Sequence, residues 1–126
     1  MTEPQASRSR GDLHGRPTAI ELVDAVAALL RDVVPDHLED ALRHQVRIAV
    51  HALEMVSREL ELGPVQSRAH RARLAALGAP DDRALAGAIR AGEIDTADPV
   101  VRGSLRADTR DRLLVANPQW LPPEYR

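Results

Sequence analysis

The 126-residue chain has no cysteine, so disulfides, thiol nucleophiles and thiolate metal ligands are all excluded. It has no lysine either: all 17 basic residues are arginine. A lysine-containing phosphate-binding loop of the G-x-x-x-x-G-K-[ST] type is therefore impossible. Phenylalanine is missing, and tryptophan and tyrosine occur once each, so the core must be built from Leu, Val, Ala and Ile. The joint loss of lysine and phenylalanine reads as the codon bias of a GC-rich genome before it reads as selection for phosphate recognition. With a net charge of −2 there is no overall field to hold nucleic acid. No segment approaches the roughly 18 apolar residues of a membrane span. The opening MTEPQASRSRGD has no hydrophobic signal core, so the expected location is the cytoplasm.

What is present points to helix. Leu and Ala are good helix formers, whereas aromatic and β-branched residues favour strands. Residues 1–15 are polar and read as a disordered leader, 16–121 as one helical domain and 122–126 as a C-terminal tail. Thr18 followed by Glu21 is a capping box that opens a first helix, whose apolar residues from Leu22 to Val34 fall within about 160° of arc. Pro35 should end it. Asp36 with Glu39 should cap a long central helix from about His37 to Glu61, stopped by Gly63-Pro64. Its apolar sector is wide enough to require more than one neighbour. A third helix is expected over Val65–Leu77 and a short fourth from Asp81 or Asp82 to Gly92. Asp98-Pro99 supplies an N-cap and a proline at the first helical position for a fifth, running to Asn117-Pro118. Strand alternation and hairpin signals are lacking. The expectation is an all-α fold of about five helices, mostly up and down around the long central one.

Complete catalytic or metal-binding constellations are also lacking. His37, His44 and His51 share one side of the central helix, but seven residues rise about 10.5 Å, too far for two ligands of one zinc ion. The hydroxyls of Ser57, Ser67, Ser104 and Thr109 have no evident His–Asp relay. No metal and no cofactor is expected. Three features remain as candidates for contact with a partner or ligand. One is the charged stripe of the central helix, which includes Arg47, His51 and Arg58; its acids and bases also pair with one another at spacings of three or four. The second is Glu59, which projects into the apolar sector, where a carboxylate must be paired, turned out to solvent or placed at an interface; a pair with an Arg from another helix is the favoured reading. The third is Arg102, Arg106 and Arg110, four residues apart, with Asn117 on the same line. Three such cations repel each other, so an anionic neighbour or solvent must satisfy them.

The stretches RPTAIELVDAVAALL (Arg16–Leu30), RIAVHALEMVSRELELGP (Arg47–Pro64), LAGAIRAGEID (Leu85–Asp95) and LRADTRDRLLVANPQW (Leu105–Trp120) resemble a small bacterial family of uncharacterised domains. That family is similar to the accessory B component of levulinate catabolism. The resemblance implies genes beside an aminoglycoside-phosphotransferase-like kinase and an acyl-CoA dehydrogenase. It also implies a role in helping that kinase phosphorylate a hydroxyacyl-CoA. The positions that carry it are Arg47, Leu53, Arg58, Glu59, Asn117 and Pro118. His51 departs from the pattern, where Asn or Ala is more usual.

The leading expectation is thus a non-catalytic accessory subunit of that kinase, with acyl-CoA met through the complex and neither nucleic acid nor membrane as partner. Two rivals stand beside it. One is a self-associating helical interaction module with no acyl-CoA role. The other is a small enzyme whose site forms across a homodimer, with Glu59 and His51 as acid and base. Purified alone, the chain should neither hydrolyse ATP nor transfer its phosphate. ATP-dependent activity in a kinase-free preparation would contradict the accessory reading.

Overall fold

The computed structural model describes residues 15–126. Of the expected leader, residues 1–14 lie outside the described residues. The remainder is all-α: α1 (Ala19–Asp32), α2 (Asp40–Ala76), α3 (Asp82–Arg90) and α4 (Pro99–Ala116), with short 3-10 turns at Val34–His37, Pro118–Trp120 and Pro123–Tyr125. No strand occurs among the described residues.

The caps of α1, α3 and α4 are the ones their residues dictate. The Thr18 hydroxyl accepts from Glu21 N–H at 3.2 Å, and the Glu21 carboxylate accepts from Thr18 N–H at 2.8 Å. Arg16 also pairs with Glu21. The Arg16 hydrogen bond, then that from the Thr18 backbone, hold the Glu21 carboxyl below its ordinary value of 4.5. Asp81 and Asp98 cap α3 and α4, each accepting from a backbone N–H of the first turn. Gly78, at φ +72°, turns the chain out of α2, and Ala79 N–H returns to Leu74 O at 3.0 Å.

The central helix differs from expectation at both ends. It begins at Asp40 rather than His37, because Val34–His37 forms a 3-10 turn with Pro35 in its first turn. Glu39 is the N-cap and makes no side-chain cap bond; Arg43 fastens this corner instead, donating to Pro35 O at 3.2 Å and Leu38 O at 2.9 Å. Nor does α2 stop at Gly63-Pro64. The two helices expected either side of that pair are one, 37 residues long, which at 1.5 Å per residue is about 55 Å. Pro64 costs this helix the hydrogen bond to the Leu60 carbonyl and adds a steric conflict with the same group. The helix continues because both flanks are held: α1 lies along the first half and α4 along the second.

The pairing of α1 with α2 is antiparallel. Asp24 accepts from Ser57 at 2.6 Å, and Arg31, one helical stretch later, donates to Glu54 at 3.1 Å. Ala27 and Val50 are the buried residues of this pair. At the other end, Leu74, Ala79 and Leu85 form a small core, with Leu77, Ile89, Ile94 and Leu105 packed against it. The wide apolar sector of α2 therefore does meet two neighbours, yet part of it stays in solvent: Leu42, Ile48, Val56 and Leu60 are exposed, as are Leu22, Val26 and Leu29 of α1 and Val33 at its C-cap.

Replacing Pro64 by alanine restores the missing hydrogen bond and should raise stability by about 2 kcal/mol, less than the full proline penalty because the unfolded chain also gains freedom. Urea denaturation measures this. An unchanged or lower midpoint would mean that the α2 backbone has adapted to the ring.

Candidate functional site

Three polar or concave regions stand out, and they are separate. The most connected is a charge network that joins α2, α3 and α4. Arg73 of α2 donates to Asp108 at 2.7 Å and to Asp111 at 2.9 Å, both on α4. All three side chains are largely covered. Burial works against the charge of Arg73, but the hydrogen bonds and charges of the two carboxylates outweigh it and hold the guanidinium above its ordinary value. His70 lies one turn earlier on α2, with Nδ1 at 3.0 Å from Asp108 and Nε2 at 3.1 Å from Asp82 of α3. Gln66 adds a bond to the Asp111 carbonyl at 3.0 Å. A His between two carboxylates has the parts of a proton relay, but a nucleophilic hydroxyl or thiol is not among its bonded neighbours. Its bonds tie α2, α3 and α4 together, and Ser67 lines the same pocket. The sequence reading missed it, although His70 with Arg73 and Asp108 with Asp111 form complementary pairs at a spacing of three on facing helices.

The second region is a cleft of about 650 Å³ between α4 and the C-terminal turns. Arg102, Arg106 and Arg110 line it together with Leu113, Leu121, Pro122 and Tyr125. These arginines lie on the side of α4 turned away from α2. Arg110 reaches its neighbour Asp111 at 3.3 Å, while Arg102 and Arg106 have no carboxylate partner among the described residues. The tail at 122–126 is no loose end: Pro123–Tyr125 forms a 3-10 turn, and Arg126 donates to Leu121 O at 2.9 Å. The result is a cationic wall above an apolar floor.

The remaining candidates from the sequence are scattered along α2 and at the end of α4. Arg47 is exposed and lines a groove of about 530 Å³ with Leu30, Arg31, Pro35, Arg43 and Val50. His51 is exposed as well. Arg58 points to α4 instead, where its Nε donates to Val115 O at 2.7 Å and so caps the C-terminal end of that helix. Asn117 sits two residues beyond. Its Oδ1 and Arg58 Nη2 are both buried without a hydrogen-bond partner. Glu59 is exposed and has no ion pair among the described residues, so the internal pair favoured from the sequence is not made. The apolar sector at this point borders on solvent, and the carboxylate simply remains hydrated. His51 and Glu59 stand eight residues apart, about 12 Å along the helix, and do not meet within one chain.

The family model for a domain of unknown function, DUF6285, matches residues 36–120, more than half of the chain. The chain belongs to the DUF6285 family. No curated protein and no solved structure is significantly similar to it. The DUF6285 match takes in α2, α3 and α4, and with them the whole Arg73 network and the three arginines of the cleft. It leaves out α1 and the Tyr125 turn. Within the described residues, no helix is long and apolar enough to cross a membrane.

Arg73→Met should lower stability by about 2 kcal/mol, because Asp108 and Asp111 are then left partly buried without their cation. Adding Asp108→Asn and Asp111→Asn to the same chain should recover most of that loss. Thermal melts of the single and triple variants make the comparison. Equal losses in both would show that the arginine stem, not its charge, holds the helices together.

Proposed function

We propose that this DUF6285 chain is a non-catalytic accessory subunit of an aminoglycoside-phosphotransferase-like kinase and completes that kinase's hold on a hydroxyacyl-CoA. Two things support the reading. The first is the resemblance of Arg47–Pro64 and Leu105–Trp120 to the accessory B component of levulinate catabolism. The second, which carries it, is the cleft: Arg102, Arg106 and Arg110 run along one wall, and Leu113, Leu121, Pro122 and Tyr125 line the rest. Eight residues of helix span about 12 Å, a length that suits several phosphate groups of one ligand. The guanidinium fork binds phosphate oxygens in pairs. An acyl-CoA joins phosphates to an adenine and an acyl chain, which matches cations beside an apolar floor. In this reading the kinase supplies ATP, magnesium and the catalytic base, and the accessory chain supplies affinity and orientation.

Reconstitution with an aminoglycoside-phosphotransferase-like kinase, which this reading places beside the gene, provides the test. ADP release from a hydroxyacyl-CoA should require the accessory chain. Arg102→Glu with Arg106→Glu should cut that activation at least tenfold while the helical signal stays unchanged. Full activation by this variant would remove the cleft from the reading. A kinase indifferent to the wild-type chain would end the proposal.

A further inference from the structure

We infer that the α1–α2 hairpin pairs with a second copy of this chain, α1 of each lying on α2 of the other in a four-helix bundle. The observation is an apolar face that the fold leaves open. On α1 the row Leu22, Val26 and Leu29, continued by the C-cap residue Val33, is 48% to 54% exposed, although its spacing of four, three and four is that of a bundle seam. On α2, Leu42, Val56 and Leu60 are 41% to 48% exposed, and Ala49 and Ala52 between them are exposed too.

These rows belong to one surface. On α1 the residues turned toward α2, such as Ile20, Ala27 and Leu30, lie roughly 120° around the helix from the open row. On α2 the side turned toward α1, marked by Val50 and Ser57, lies roughly 100° from the row Leu42, Ala49, Val56 and Leu60. Both offsets turn in the same rotational sense along the sequence. Because the helices are antiparallel, equal senses bring both rows to the same side of the hairpin. No charged residue falls within the α1 row, and on α2 the one acid beside the row is the exposed Glu59, at its edge next to Val56 and Leu60.

The size and shape of the face favour a copy of itself. Taking roughly 170–200 Å² for a fully exposed Val or Leu, the seven large residues with the two alanines leave on the order of 700 Å². That is close to the about 800 Å² each partner buries in a standard interface, and above what monomers usually leave as one patch. The relief is also complementary within a single chain. At the level where α1 presents Leu29 and Val33, α2 presents Ala52 and Ala49. A two-fold axis running along the hairpin sets Leu29 and Val33 of one copy against Ala52 and Ala49 of the other. It does so twice, and every contact across the bundle is antiparallel. The α4 cleft faces elsewhere, so this inference is independent of the proposed function.

Sedimentation velocity of the full chain at about 50 µM should give twice the 13.8 kDa of the monomer. Leu29→Glu should weaken association at least a hundredfold with the helical signal retained, whereas Val100→Glu, an exposed site on α4, should leave the dimer intact. The absence of native cysteine adds a second measurement. Oxidising a mixture of Val26→Cys and Val56→Cys chains should give the mixed cross-link, with little from Val26→Cys alone. A wild-type chain that sediments as a monomer would overturn the inference, and so would a dimer indifferent to Leu29→Glu or a dominant Val26–Val26 cross-link.

Discussion

The guanidinium of Arg73, held between Asp108 and Asp111, joins the second half of α2 to α4, and the arrangement of that end of the molecule follows from it. Without aromatic residues to span the gap, Leu74, Ala79 and Leu85 form a core too small to set the angle of α4 by itself. A planar cation between two carboxylates on successive turns fixes both the register and the rotation of the helix. His70 extends the hold to α3 through Asp82, and Arg58 closes the far end of α4 at Val115. Once α4 is turned this way, Arg102, Arg106 and Arg110 must face outward. The chain then returns under them through Leu121 to Tyr125 and makes the cleft.

Much of the fold was legible because local signals act locally. Thr18, Asp81 and Asp98 each satisfy backbone N–H groups within three residues of themselves, so their residue types suffice to place a helix start. Gly63-Pro64 misled for the complementary reason. Whether a proline ends a helix depends on what holds the turns on either side, and here α1 and α4, distant in sequence, supply that support. Asp36 was passed over as a cap because Pro35 fits a 3-10 turn, which moves the start of α2 to Asp40.

The site residues were legible as types and not as partners. The arginine row on α4 was readable from its spacing, but the floor beneath it comes from Leu121 and Pro122, which carry no periodic signal. The Asp108–Asp111 pair was hidden by that same row. Read around the helix, the acids lie on the opposite side from the arginines, and their partner is 35 residues away or more. Glu59 shows the limit most simply. Its angular position placed it in an apolar sector, but burial depends on whether a neighbouring helix covers that turn, and none does.

The length of α2 has a consequence for how the molecule loses its structure. The buried residues Ala27 and Val50 mark the packing of its first half, and a hydrophobic cluster around Leu74 and Leu85 sits near its C-terminal end. Between them α2 is tied to α4 by the Arg58, Gln66 and Arg73 contacts, and within that stretch Gly63 and Pro64 are its weakest turns. Cooperativity passes between two clusters only as strongly as the segment that couples them. On that physical ground the hairpin end and the α3–α4 end should behave as two foldons sharing one backbone.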